Sequence, residues 1–125
     1  MIDHMSVSVS NIARSKSFYG VALAPLGYAM LMEFEKFAGF GVAPKPDFWI
    51  GEGAPNEPHV HVAFRADTRA AVDAFHLAAI AGGGRDNGPP GLRPNYHENY
   101  YGAFVLDPDG HNIEAVCHLP EIEPT

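Results

Sequence analysis

The chain has 125 residues, 46% of them hydrophobic and 11% aromatic, which suffices for one buried core and leaves little room for a second domain. With 8 Lys and Arg against 15 Asp and Glu the formal charge is −7, which opposes a phosphate-tracking surface and argues against nucleic acid as a partner. No apolar run approaches the roughly 20 residues that span a bilayer. No basic segment followed by a hydrophobic stretch opens the chain, and the lone Cys117 suits a reducing compartment, so a cytoplasmic protein without membrane contact is expected.

In chain order, Ile2 to Val9 alternates as a half-buried strand does, and Asn11 is suited to cap a helix running to about Leu23, where Pro25 and Gly27 end it. Tyr28 to Lys36, Phe37 to Ala43 and Phe48 to Gly53 read as three short strands separated by charged, glycine or proline breaks. The segment Glu52 to Pro58 is the natural joint between halves. A strand over His59 to Ala66 follows, and then a helix from Arg69 to Ile80 capped by Thr68 and stopped by the glycine run 82–84. Residues 85–99, with Pro89, Pro90 and Pro94, predict one short strand and a long loop. Tyr100 to Leu106 and His111 to His118 are strands joined by the tight Asp107-Pro108-Asp109-Gly110 turn. Cys117 on the last strand reads as a small buried apolar residue.

Both halves therefore read β-α-β-β-β, and they repeat in detail. His4 and His61 are each followed fourteen residues later by a phenylalanine (Phe18, Phe75) and twenty-three residues later by a glycine (Gly27, Gly84). Such a repeat predicts two equivalent modules, about 1–53 and 57–119, within one fold. Alternation places His59 and His61 on one strand face. Glu114, between Ile113 and Ala115, is a carboxylate in an apolar strand and needs a partner, because burying it alone is too costly. A divalent metal is one such partner, and two imidazoles with one carboxylate form a common catalytic ligand set.

The segments IDHMSVSVSNIARSKSFYGVALAPLGY, HVAFRAD and YYGAFVLDPDGHNIEAV, in that order, resemble the vicinal oxygen chelate superfamily, which includes glyoxalase, fosfomycin-resistance, bleomycin-resistance and extradiol dioxygenase proteins. The resemblance covers nearly the whole chain, and the DPDG turn followed by Glu114 is its sharpest element. It implies an α+β fold in which two βαβββ modules form an open, cupped mixed sheet with helices outside, usually as a homodimer. It also implies His4, His61 and Glu114 as ligands of a divalent ion, for which Zn, Ni, Fe, Mn and Co all suit the ligand types. A fourth ligand stays open: one register sets Glu52 opposite Glu114, and a small shift sets Trp49 or Ile50 there.

Departures from particular members narrow the reading. The arginine that glyoxalase I carries four residues after its first histidine is Ser8 here, which disfavours glutathione. The tyrosine and arginine of fosfomycin-modifying enzymes fall on Phe104 and Glu123, although Ser6 matches their hydroxyl. Ring-cleaving enzymes commonly pair two such domains in one chain. The expected function is a metal-dependent, glyoxalase-like lyase or isomerase acting on a small substrate with vicinal oxygens, through Lewis-acid stabilisation of an enediolate or oxyanion. A metal-free, drug-sequestering binding protein is the alternative, and a small dioxygenase-like enzyme a further one. His97 is the expected acid–base group alongside Glu114, and Trp49, Tyr96 and Tyr101 are expected to line the substrate pocket. His76, His111 and His118 read as helix-surface, turn and edge positions.

Overall fold

The computed structural model describes residues 1–121. Its elements run β1 (Met5–Val9), α1 (Ile12–Leu23), β2 (Ala29–Glu33), β3 (Phe37–Val42), β4 (Lys45–Glu52), β5 (His61–Arg65), α2 (Arg69–Ala81), β6 (Arg85–Leu92), β7 (Tyr101–Leu106) and β8 (Asn112–Cys117), with a short 3-10 turn at Ala24–Leu26. They form two open four-stranded mixed sheets of identical topology, ordered β1-β4-β3-β2 and β5-β8-β7-β6. In each, the first strand pairs in parallel with the last and the remaining pairs are antiparallel. The α+β architecture of two βαβββ units is thus present.

Local chemistry accounts for the helices. The Asn11 side chain accepts the Arg14 N–H at 3.0 Å and the Thr68 hydroxyl accepts the Ala71 N–H at 3.0 Å, so each helix starts where a side-chain oxygen satisfies an otherwise unpaired amide. Along α1, Ser15, Phe18, Tyr19, Ala22 and Leu23 are buried at helical spacing, and along α2 so are Val72, Phe75 and Ala79. Phe18 and Phe75, the paired marks of the repeat, are both fully buried. Each contributes about 1.5–3 kcal/mol by leaving water. The helices pack on each other and on one face of the sheets, leaving the opposite sheet faces open.

One stretch departs from expectation. Residues 85–92 form a full strand of 8 residues despite Pro89 and Pro90. β6 is an edge strand, where a missing amide is tolerated, and its pairing to β7 slips between Asp86 and Gly88 and again between Gly88 and Gly91. The loop is correspondingly shorter, 93–100. Glu123 lies outside the described residues.

The halves are joined by buried polar chemistry as well as by apolar packing. Phe64 of β5 meets Tyr28 and Phe48 of the first half edge-on, at ring separations of 5.5 and 5.1 Å. The Asp107 carboxylate, 2% exposed, accepts the Tyr19 hydroxyl of α1 at 2.5 Å and the Asp109 and His111 N–H groups at 2.9 Å each. Burial, and then the charge of Asp107, push the Tyr19 phenol well above its ordinary pKa and keep it a donor. His111, fully buried rather than at a simple turn position, accepts the Val60 N–H on Nδ1 at 3.2 Å and donates from Nε2 to the Ser8 carbonyl at 3.1 Å. Its ring thereby ties β1 of one half to the start of β5 of the other. Gly110, at φ 93°, makes the turn that presents these groups.

Removing either bridge strands buried partners. Tyr19→Phe leaves an Asp107 oxygen without its donor and should cost about 1.5–3 kcal/mol, and His111→Ala, which orphans two backbone groups and opens a cavity, about 2–4 kcal/mol. Urea unfolding of each variant checks this. A loss below about 0.5 kcal/mol in both, the range of ordinary surface changes, would show that the seam does not hold the halves together.

Candidate functional site

Parallel pairing of β5 with β8 sets His61 beside Asn112 and Ala63 beside Glu114, so the imidazole and the carboxylate lie on the same open sheet face. His61 Nε2 is 2.8 Å from Glu114 Oε1. Glu114 is 1% exposed, while Ile113 and Ala115 on either side of it point into the core. Its second oxygen accepts the hydroxyl of Tyr100, the residue just ahead of β7. Burial first, and then this hydrogen bond, push the Tyr100 phenol well above its usual value, so it remains a donor. Both carboxylate oxygens are held, and among the described residues no Lys or Arg pairs with Glu114. A buried carboxylate that faces an imidazole and has no Lys or Arg paired with it is a position that suits a metal cation.

Aromatic and imidazole rings surround this pair. Phe104, the β7 residue opposite Glu114, lies 6.2 Å from the His61 ring. Tyr96 and His118 meet Tyr100 edge-on at 5.1 and 5.3 Å, and His97 meets His118 at 6.1 Å. His97 Nδ1 accepts the Asn99 N–H at 3.3 Å, leaving Nε2 as its outward nitrogen. Tyr101 takes the other direction. Its hydroxyl donates to Asp73 of α2 at 2.6 Å with the Arg69 guanidinium 5.2 Å from its ring, and the bond to Asp73, followed by burial, raises its pKa to about 12.

The corresponding face of the first half carries His4, Ser6 and Trp49 at the wall of a cavity of about 750 Å³. His4 precedes β1, and its Nδ1 lies 2.6 Å from Asp3 Oδ1, while Lys45 Nζ lies 2.5 Å from Asp3 Oδ2. The bond to Lys45 first, and then that to His4, hold the Asp3 carboxyl below its ordinary pKa. The Asp3 contact fixes one ring nitrogen and leaves Nε2 open. Met32 and Phe37 complete the apolar part of the cavity, and Phe34 stacks on Phe37 at 4.6 Å.

Register decides what answers Glu114 in this half. Ser6, two residues after His4, pairs with Trp49, and Ala63, two residues after His61, pairs with Glu114. Trp49 is therefore the positional counterpart of Glu114. Glu52 stands at the strand end, where it pairs with Lys36 at 2.8 Å and accepts the Ile12 N–H of α1 at 3.2 Å, both of which lower its pKa. The sites of the two halves stay apart within one chain. Among the described residues, no three His, Cys, Asp or Glu side chains gather closely enough to hold an ion.

Tyr100 was not singled out by sequence. The signal was available in strand parity: Tyr100, Gly102 and Phe104 alternate on one face, and Phe104 is paired with Glu114. Tyr101 belongs to the opposite face.

The family model of the Glyoxalase/Bleomycin resistance protein/Dioxygenase superfamily matches residues 1–115. Among solved structures, a glyoxalase/bleomycin resistance protein from Albidiferax ferrireducens is 31% identical over 92% of this chain and 97% of its own, with a TM-score of 0.79. A glyoxalase/bleomycin resistance protein/dioxygenase family enzyme from Burkholderia phytofirmans is 19% identical, covering 94% and 98%, with a TM-score of 0.74. A lactoylglutathione lyase from Agrobacterium tumefaciens is 17% identical, covering 94% and 92%, with a TM-score of 0.66. The last two share the fold. No curated protein is matched by the chain.

The indole of Trp49 lies directly over Gly39, where an added Cβ would come within 2.9 Å of its ring. Gly39→Ala should therefore displace the indole, shift the emission of this single tryptophan and cost about 1–3 kcal/mol. Fluorescence spectra and thermal melts of the variant check this. Unchanged emission would mean that the indole does not rest on the strand.

Proposed function

Because the chain belongs to the Glyoxalase/Bleomycin resistance protein/Dioxygenase superfamily, we propose that it is a metal-dependent enzyme acting on a small substrate with vicinal oxygens. The observation that carries this reading is the buried Glu114 carboxylate, held against His61 at 2.8 Å on an open sheet face and, among the described residues, paired with no Lys or Arg. The donor set fits a divalent ion: His61 and Glu114 from one chain, with His4 supplied by a second copy as the third ligand. The ordering of His4 by Asp3 supports this, since carboxylates commonly orient ligating imidazoles through their second nitrogen. Pairing the first-half face of one copy with the second-half face of another would unite what a single chain keeps apart, so a homodimer belongs to the reading.

When bound, the ion supplies Lewis acidity toward adjacent substrate oxygens, the chemistry that lyases and isomerases of this type require. The protein's own residues do the rest. Tyr100 holds the orientation of Glu114. Trp49 and Phe37 give an apolar wall that excludes water from one side of the pocket. His97, on the loop that also carries Tyr96 and Tyr100, is the group assigned to proton transfer through its outward nitrogen.

A second reading is favoured by the cavity of about 750 Å³ with its Met32, Phe37 and Trp49 lining: a metal-free protein that sequesters an aromatic ligand. Metal analysis separates the two. The metal-dependent reading expects about one ion per chain in the protein reconstituted with zinc or manganese, lost in His4→Ala, His61→Ala and Glu114→Ala. Asp3→Ala should retain the ion with about ten- to hundredfold weaker affinity. Mixing His4→Ala with His61→Ala chains should restore binding, because a heterodimer keeps one site with both histidines. Absence of a stoichiometric ion, with the three variants unchanged in ligand affinity, would leave the sequestering protein as the function.

A further inference from the structure

The open face around Glu114 carries a cation that the proposed chemistry leaves unused. Arg93 follows β6 directly, and its N–H donates to the Tyr100 carbonyl at 2.7 Å, which places it across from the tyrosine that holds Glu114. Its guanidinium carbon lies 5.6 Å from the centre of the Phe104 ring, the same ring that lies 6.2 Å from His61. Phe104 is thus shared between the imidazole and the guanidinium on the face that Glu114 occupies.

The guanidinium sits in a prepared place. Nη2 donates to the Pro89 carbonyl at 2.7 Å, which fixes the plane of the group. Added Cβ atoms at Gly91 and Gly88 would come within 3.1 Å of Nη1 and 3.4 Å of Nη2, so both glycines of the slipped β6 edge make room for it. One of its five N–H donors is thereby used, and among the described residues no carboxylate pairs with it. A planar, half-buried guanidinium with free donors and an aromatic ring beneath it is the arrangement that recognises a planar or tetrahedral oxyanion by paired hydrogen bonds.

We propose that Arg93 anchors an anionic group of the substrate, a carboxylate or a phosphoryl group, while the substrate's vicinal oxygens are directed to the His61–Glu114 side of Phe104. This rests on the metal-dependent reading for the second half of the contact and on Arg93 alone for the first. The substrate class becomes a small acid carrying two neighbouring oxygens apart from its anionic group, and neutral diols or diones become poor ligands.

Calorimetric titration of the zinc-reconstituted protein with catechol and with 3,4-dihydroxybenzoate tests it, since the two probes share the vicinal oxygens and differ by one carboxylate. The acid should bind about tenfold or more tightly than catechol, as a charge-assisted pair allows. Arg93→Gln should abolish that preference while leaving catechol affinity unchanged, which also reports that the variant is folded. Arg93→Lys should retain part of the preference. Displacement of the acid by acetate at lower concentration than by inorganic phosphate assigns the anchor to carboxylates, and the reverse order assigns it to phosphoryl groups. Equal affinity of the wild-type protein for the two probes, or a preference that survives Arg93→Gln, overturns the proposal. Failure of the metal reading looks different: removing zinc would leave catechol binding unchanged while Arg93→Gln still weakened the acid.

Discussion

The Asp107 carboxylate is the constraint on which the rest of the molecule depends. It is buried, it accepts three hydrogen bonds, and one of its donors comes from the opposite half of the chain. A charge so placed is tolerable only when its lone pairs are satisfied, and its partners must therefore stand where they do. Tyr19 is fixed from α1, and the turn backbone at Asp109 and His111 is fixed from the same oxygen atoms' demands. Asp109 extends the seam by accepting the Ser10 N–H at 3.1 Å. From that turn β8 departs, and with it the position of Glu114. His111, set by the same turn, closes the free edge of β1 through the Ser8 carbonyl. The device that joins the halves is therefore also the one that positions the candidate ligand, since the DPDG turn leads directly into the strand that carries Glu114.

The two halves share a topology, yet one layer of the open face is exchanged between them. In the second half Phe104 and Glu114 are cross-strand partners; at the equivalent pair of the first half stand Gly39 and Trp49. The large ring moves from the antiparallel neighbour to the last strand, and the small position moves the opposite way. Such an exchange keeps a sheet face filled while altering its chemistry. One half presents a carboxylate between an imidazole and a phenol, and the other an indole beside an imidazole. On the proposed reading neither half is a complete site, and the ligating residues of one are complemented by those of the other.

Much of this was legible in the sequence because it depends on local rules. Capping by Asn11 and Thr68, the helical spacing that buries Phe18 and Phe75, and the 57-residue offset between His4 and His61 are readable without coordinates. What was hidden is long-range. The sequence predicts only a short strand at β6 because Pro89 and Pro90 break a strand that needs both ladders, whereas an edge strand needs one. His111 reads as a turn residue until the fold brings Ser8 and Val60 to its two nitrogens. Tyr100 and Tyr101 are indistinguishable by type, and only pairing with β8 decides that the former meets Glu114 and the latter Asp73. Whether Glu52 or Trp49 answers Glu114 depends on the strand register, which composition does not carry and the parallel pairing of β1 with β4 does.

The charge of −7 bears on the open faces in a way that net charge alone conceals. At physiological ionic strength the field of distant carboxylates fades over about 8 Å, so the sign felt by a bound molecule is set by the nearest few groups. Lys45, at the wall of the first-half cavity, is already matched by Asp3, and Lys36 nearby in sequence by Glu52. Arg93 has no such partner among the described residues and is held by a carbonyl, which orients it without neutralising it. An acidic chain thus keeps a local positive group beside a buried carboxylate. A neutral ligand would gain nothing from both at once, whereas a molecule bearing an anionic end and a pair of oxygens for a cation would meet each in turn.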